Sequence, residues 1–514
     1  MPQQTHLEIE LKFDAGDDVT LPDLETVAGV ATVEQPAEQT LVATYFDTAD
    51  LRLAAARTTL RRRTGGADAG WHLKLPLAGG DRQEVRLPLG RATVTVPTAL
   101  LGPVRAIVRD RKLVPVARVS TTRVAHRLLD PSGVVLIEVS DDRVTAQALH
   151  PEGPALAWRE LEVEIVDADP ADGGRELLAL VGDRLVAVGA HPAAGPSKLA
   201  RVLGDRVPTG TPPLEGALSA KAPAGAVVRV HLADQVKALQ TQDPRVRRDE
   251  PDSVHKMRVA TRRLRSALAT YRPLLDREVT DPLRRELAWL AGVLGAARDA
   301  EVMHDRLVAV LHEEPAELVR GPVVSRVDKE LTERYRAAHD AALAELDGTR
   351  YFRLLDALDA LAAEPPFIEP ASGTAGEVLP RRVAKVWKKL RNLAQSADDA
   401  PTAQEREHLL HEVRKTAKRA RYAGESLVPA FGAPAGAFAK GVTELQEVLG
   451  THQDSVVTRA LLLELTDVAQ GAGEDTFSYG RLHALEQARA DEAEQTYATA
   501  LQAASRKKLR RWLR

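Results

Sequence analysis

The stretch HLEIELKF, His6 to Phe13, reads with a period of two. Leu7, Ile9, Leu11 and Phe13 point one way; His6, Glu8, Glu10 and Lys12 point the other. This is the pattern of a β-strand with one apolar face. Its other face carries two carboxylates and an amine. On a lone strand such a face is ordinarily just solvated, so the neighbouring strands must decide what it is for.

Up to about residue 203 the chain is mainly strand-like. TLVATYFDT, TTLRRRT, WHLKLPL, RQEVRLPL, VARVSTTRVAHRLL, VVLIEVSDD and WRELEVEI are β-rich, and Gly, Pro and Asp clusters separate them. ADLRLAAA and DGGRELLALVGDRLVAV read as helices. Gly204 to Gly216 is Pro/Gly-rich and unpatterned, and reads as a linker within residues 204–217. Beyond it the periodicity is helical almost to the end. The expected plan is an α+β domain (1–203) followed by an all-α domain (218–514).

Composition bounds the chemistry. A chain of 514 residues exceeds one ordinary core. It has no cysteine, which excludes disulfides, thiolate zinc sites and a cysteine nucleophile, and fits a reducing cytosol. The start lacks a basic region followed by an apolar core, and no run reaches about 18 apolar residues. A cytoplasmic protein without a membrane span is therefore expected. Lys and Arg number 70 and Asp and Glu 73, a formal charge of −3. Any polyanion must be bound by cations gathered locally.

The charged strand faces recur with both signs. Arg61 and Arg63 share a face, as do His72 and Lys74, then Arg82, Glu84 and Arg86, then Arg123 and Arg127, then Glu160, Glu162 and Glu164. An antiparallel sheet with its charges in water gives this pattern. So does a closed barrel with the charges inward and helices covering its apolar outside. The barrel needs a highly charged guest: cations suit an anion with many oxygens, and Glu clusters suit hard cations that also bind phosphate.

These residues resemble the CYTH superfamily, the triphosphate tunnel metalloenzymes. Glu8-x-Glu10-x-Lys12 resembles its ExExK signature. YFDT (Tyr45–Thr48), LRRR (Leu60–Arg63), Lys74, Glu84, Arg118, Arg123, IEVSD (Ile137–Asp141), ELEVEI and SKLAR follow in the family's order. The resemblance implies an eight-stranded antiparallel tunnel open at both ends. It implies Glu8, Glu10, Asp141, Glu160, Glu162 and Glu164 as ligands of Mg²⁺ or Mn²⁺. It implies Lys12, Arg61, Arg63, Lys74, Arg118, Arg123 and Lys198 as holders of phosphate, with Glu8, Glu10 and Lys12 central to catalysis.

The helical half contains a repeat, about 218–365 and 375–514. VHKMRVATRRLRSAL and LHEVRKTAKRARYAGESL share a spacing that aligns His255, Arg258, Arg262 and Arg265 with His411, Arg414, Lys418 and Arg421. At about 100° per residue each set falls within an arc of roughly 80°. VLGAARDAEV and VLGTHQDSVV continue the repeat, aligning Gly295 with Gly450 and Asp299 with Asp454. Duplication implies two related bundles. Val254 to Leu268 holds five Arg or Lys and no acid. A face built only for solubility would mix signs. Arg381, Lys385 and Lys388 add to the positive charge. These segments resemble the CHAD family, which implies two four-helix bundles and binding of inorganic polyphosphate by these residues.

The leading expectation is a metal-dependent triphosphatase acting on inorganic triphosphate or short polyphosphate, with a polyphosphate-binding helical domain and an association with polyphosphate granules. The alternatives are a non-catalytic polyphosphate-binding or targeting protein, and an adenylate cyclase or other organic triphosphatase. Nucleic-acid binding ranks lower, because no aromatics interleave the basic stripes as stacking platforms.

Overall fold

A computed structural model describes residues 4–77, 80–91, 93–149, 151–169, 173–208 and 218–514. The chain divides into two compact units, 1–212 and 213–514. Most of the segment read as a linker, from 209 onward, lies outside the described residues. No helix among them is long and apolar enough to cross a membrane.

The first unit contains strands β1 (Gln4–Glu8), β2 (Glu10–Ala15), β3 (Thr32–Glu34), β4 (Gln39–Asp47), β5 (Thr59–Thr64), β6 (Gly70–Pro76), β7 (Arg82–Pro88), β8 (Val114–Leu129), β9 (Val135–Ala148), β10 (Leu156–Ile165) and β11 (His191–Pro192). They pair antiparallel in the order β1-β7-β6-β5-β4-β8-β9-β10-β2-β11, with β3 added on β8. β1 and β2 are two halves of HLEIELKF, divided only at Ile9. The first half bonds to β7 and the second to β10. The sheet therefore closes on itself through this one stretch. With β1 and β2 counted as one bent strand and β3 and β11 as additions, eight of the strand positions form the ring.

The alternation in HLEIELKF now has a geometric meaning. Ile9 and Phe13 lie buried on the outside of the ring with Ile137, Val139, Leu161, Val163 and Ile165. Helix α4 covers them (α1 Arg52–Ala55, α2 Thr98–Leu101, α3 Arg105–Val108, α4 Arg175–Ala187, α5 Lys198–Leu203). Gly182 permits the close approach, since a Cβ there would meet Leu11 and Phe13 at 3.1 Å. A second outer core joins Phe46, Leu60, Trp71, Leu73 and Val85 to residues of α1, α2 and α3. Burying large apolar side chains this way contributes about 1.5–3 kcal/mol each, and it leaves the charged faces turned inward. α5 differs: its Leu199, Val202 and Leu203 pack on Ala117, Val119, Val144, Ala146 and Ala148, which share the inward parity of Arg123 and Asp142. One end of the ring is thus filled by an apolar helix.

The second unit holds α6 (Ala224–Arg247), α7 (Ser253–Thr270), α8 (Arg277–Glu313), α9 (Val323–Leu346), α10 (Thr349–Ala363), α11 (Ala375–Asp398), α12 (Ala403–Glu425), α13 (Val428–Phe431), α14 (Ala433–Gly471) and α15 (Phe477–Ala504). Packing runs α6–α7–α8–α9 in the first repeat and α11–α12–α14–α15 in the second, each a set of four long helices. Side-chain caps start several of them: Asp276 accepts from the Glu278 N–H on α8, and Thr402 from that of Glu405 on α12. The repeats meet where α7 touches α12, with Tyr271 hydroxyl 2.7 Å from Ser426 and Arg263 2.8 Å from Glu425. They also share a core in which Leu307, Val327 and Leu331 meet Leu462, Leu465 and Leu482.

Candidate functional site

The ladder registers assemble two opposed walls inside the ring. On one wall Glu10 stands opposite Glu164, which stands opposite Glu138. The next inward rung is Lys12, Glu162 and Ser140, and the one after holds Glu160, Asp142 and Arg123. On the other wall Tyr45, Arg61, His72 and Arg86 form one rung across β4, β5, β6 and β7. Between them is a cavity of about 280 Å³ lined by residues of both walls, among them Glu8, Glu10, Lys12, Tyr45, Arg61, Arg63, Lys74, Arg123, Glu162, Glu164 and Lys198.

The deepest charges neutralise one another. Asp142, Glu160 and Glu162 each offer an oxygen within 4.8 Å of the others, a cluster that could hold a metal ion. Lys198 Nζ, at the start of α5, sits 2.9 Å from Asp142, 2.7 Å from Glu160 and 2.9 Å from Glu162. Arg123 grips both oxygens of Asp142 at 2.7 Å and reaches Glu162 at 2.7 Å. Lys12 Nζ lies 2.5 Å from Glu162 and 2.9 Å from Glu10. Burial opposes the charges of Asp142 and Glu162, yet Lys198 and Arg123 hold Asp142 below its ordinary value, and Lys12, Lys198 and Arg123 hold Glu162 well below. Three acids meet three bases here.

The outer acids are balanced less fully: Glu10 shares Lys12 with Glu162, and among the described residues Glu164 has no ion pair. Glu8 is buried; Lys74 takes its Oε1, while Oε2 has no hydrogen-bond partner. Burial pushes the Glu164 carboxyl up to about 7; Lys74 works against that, and the neighbouring Glu8, Glu10 and Glu162 add to it. Unpaired buried carboxylates are costly. Oxygen donors of this kind fit a hard divalent cation; among the described residues the acids whose oxygens come within 4.8 Å of one another are Asp142, Glu160 and Glu162, while Glu8, Glu10 and Glu164 line the cavity beside them.

The facing wall has the opposite excess. Arg61 is half-buried and donates to the Tyr45 hydroxyl at 3.3 Å. Arg63 is 6% exposed and pairs with Asp68. Burial, then the charges of Arg61 and Arg123, lower its guanidinium to about 9. The Nε atoms of Arg61 and Arg63 are buried without partners. Glu84 is the acid within this wall. Burial raises its carboxyl, but the His72 hydrogen bond at 2.9 Å and the charges of Lys74, Arg61 and Arg86 bring it below its usual range. Cations outnumber acids here, as an anion site requires.

In the helical unit part of each ridge comes together, Arg258 and Arg262 with Arg414 and Lys418. Lys418 stands among Arg414, Arg262 and Arg258; burial and these three lower its amine to about 7, with Asp454 acting the other way. Arg258 reaches Asp299 at 2.8 Å, and its repeat partner Arg414 reaches Asp454 at 3.2 Å. The arginine tips pass close over Gly295 and Gly450, where a Cβ would lie 3.5 Å from Arg258 and 3.9 Å from Arg414. His411 is hydrogen-bonded to Gln453 at 2.6 Å, and His255 lies near Arg298, the residue that aligns with Gln453.

The CYTH domain family matches residues 6–183 and the CHAD domain family residues 230–463. The uncharacterized protein Rv2226 of Mycobacterium tuberculosis (strain ATCC 25618 / H37Rv) is 42% identical over 491 residues, 93% of this chain and 92% of its own. The chain belongs to the family that joins a CYTH domain to a CHAD domain. Among solved structures it is similar to PptA from Streptomyces chartreusis (21% identity, 55% of this chain and 100% of that one, TM-score 0.47). It is also similar to the CHAD domain from the plant Ricinus communis (26% identity, 58% and 96%, TM-score 0.44).

Two expected residues of the CYTH unit stand apart from the cavity. Arg118 is exposed; it pairs in register with Thr44 and Gln147, one residue out of phase with Ala117, Val119, Thr121 and Arg123. Asp141 faces outward beside Leu161 and forms a two-point ion pair with Arg159 at 2.9 and 2.8 Å. The inward acid is its neighbour Asp142. Glu138, Arg86, Asp68 and Asp142 are cavity or cluster residues that the sequence reading did not single out as a site. In the CHAD unit, Arg265 lies with Arg284 and Arg419 rather than with Arg262. Arg421 is paired with Glu425 at 3.2 Å. Arg381, Lys385 and Lys388 are exposed on α11, and among the described residues no ion pair ties them to either ridge.

Proposed function

We propose that the CYTH unit hydrolyses inorganic triphosphate or short polyphosphate with a divalent cation, Mg²⁺ or Mn²⁺, and that the CHAD unit binds polyphosphate. The observation that carries this reading is the separation of charge across one cavity, Glu8, Glu10 and Glu164 facing Arg61, Arg63 and Arg86. A simple anion-binding pocket has no use for the carboxylates, and a simple metal site has no use for the arginines.

In this account the cation, held by Glu8, Glu10 and Glu164, supplies neutralisation of phosphate oxygens. The protein's own residues do the rest. Arg61 binds phosphate oxygens through its N–H groups, Arg63, at the rim, does so for chains long enough to reach it, and Lys74 adds a point charge. Lys12, Lys198 and Arg123 keep the inner carboxylates ionised and in place. α5 closes the inner end, which limits water and sets the depth to which the chain enters. Catalysis then rests on positioning and charge neutralisation of an in-line attack by water.

A panel of triphosphate, pyrophosphate, nucleoside triphosphates, thiamine triphosphate and polyphosphates, assayed for phosphate release with and without Mg²⁺, tests the assignment. Turnover of triphosphate above the organic substrates is expected. Tight binding of all phosphates with no release would favour a binding or targeting role instead.

A further inference from the structure

The pairing fixes which end of the ring is open. β5 ends and β6 begins at the end where β10 finishes and β9 starts, and α5 fills the opposite end. At the open end the β5–β6 turn, residues 65–69, folds back over β4. Gly65 and Gly66 have φ of 84° and 74°, and a Cβ on Gly65 would lie 2.1 Å from the Thr40 carbonyl oxygen. The turn is therefore held to one path.

That path delivers Asp68 to the cavity, where it is a lining residue. Its carboxylate pairs with Arg63, and its carbonyl oxygen lies 3.0 Å from His72 Nε2. His72 is buried and bound on its other side to Glu84 at 2.9 Å. The Asp68 side chain is 40% exposed, while that of Arg63 is 8% exposed. A carboxylate at the rim thus occupies the outermost buried arginine, on the face that a phosphate would use.

We infer that Asp68 selects chain length: it holds Arg63 as a phosphate would, so a short phosphoanhydride seats on the inner cations unopposed and a longer chain must displace Asp68. The inference rests on the proposed triphosphate reading and names the substrate limit of that same site. Asp68 acts through Arg63 and is a specificity residue rather than a catalytic one.

The test uses the full chain, as parent, Asp68→Asn and Asp68→Glu, with tripolyphosphate and a linear polyphosphate of about ten phosphates. The CHAD unit is common to all three proteins and cancels in the comparison. Asp68→Asn should raise kcat/KM for the longer chain relative to tripolyphosphate by about tenfold, the scale of one charged contact. Asp68→Glu should keep the parent ratio. Circular dichroism checks that each variant is folded. An unchanged ratio in folded Asp68→Asn, or an equal fall for both substrates as expected if Asp68 only orients Arg63, would overturn the inference. Calorimetric affinities for both anions in EDTA, with the part of the binding lost in Arg61→Ala read as the tunnel component, separate the two levels: a tunnel component with no shift in the ratio overturns the gate alone, whereas no tunnel component in the parent overturns the gate and the triphosphate reading together.

Discussion

Glu10 and Glu164 face each other directly across the β2–β10 ladder, and Glu138 faces Glu164 from the other side. Like charges in opposed strand positions destabilise a sheet. Three in a row, beside a buried Glu8, are therefore a cost to the fold that a bound cation would offset under the proposed function.

The first consequence is in pH. Glu164 has an ordinary value of 4.5 and a folded one of about 7. The folded protein holds this proton more tightly than the unfolded one, so its contribution is complete below about 4.5 and is lost as pH rises through about 7. In EDTA, Glu164→Gln should therefore melt several degrees above the parent at pH 8 and nearly level with it at pH 4. Equal melting temperatures at pH 8 would show that Glu164 carries no unpaired charge.

Arg61 and Arg118 form a contrasting pair. Arg61→Ala should raise KM for triphosphate and lower kcat, because the same contact serves binding and charge neutralisation. Arg118→Ala, on the exposed outer face, should change neither. Steady-state kinetics on both variants checks the inward parity of the ring; equal effects would contradict it.

That pair also shows what was legible. HLEIELKF revealed its two faces because every second residue is apolar, and the same count gave Arg61, Arg63, Lys74, Arg123, Glu160, Glu162 and Glu164. β8 is continuous, so counting by two from Arg123 places Arg118 outside. Counting by two from Glu138 places Asp142 inside and Asp141 outside. Those steps are available in the sequence, whereas the family resemblance, which takes no account of parity, points to Arg118 and Asp141. Asp68 was not legible, because only the folded turn brings it to Arg63. The apolar filling by α5 was hidden for another reason. The buried face of β9 switches from Ile137 and Val139 to Val144, Ala146 and Ala148, and only packing explains the switch.

In the CHAD unit, Lys418 is lowered to about 7 by burial and by Arg414 and Arg262. A bound polyanion restores its charge, so binding at pH 8 should take up close to one proton and affinity should fall as pH rises above 7. Calorimetry of polyphosphate binding in buffers of different ionisation enthalpy reads the uptake directly. Lys418→Ala should abolish it; uptake that persists in that variant would move the effect elsewhere.

Arg262 and Arg265 should also differ. Arg262 stands with Arg414 and Lys418, and Arg265 with Arg284 and Arg419. If the chain lies between α7 and α12 at Lys418, Arg262→Ala weakens polyphosphate binding by about tenfold and Arg265→Ala by less. The reverse order, by the same titration, would place the chain on the Arg284 side.

Phosphate release from inorganic triphosphate tests the central claim most directly, measured for the parent with Mg²⁺, the parent in EDTA, and Glu10→Gln with limiting Mg²⁺. Mg²⁺-dependent turnover is expected that is lost in EDTA and falls by at least about a hundredfold in a folded Glu10→Gln, the scale of losing one charge contact in catalysis. Turnover in Glu10→Gln close to that of the parent, or none from the parent at any metal concentration, would contradict it.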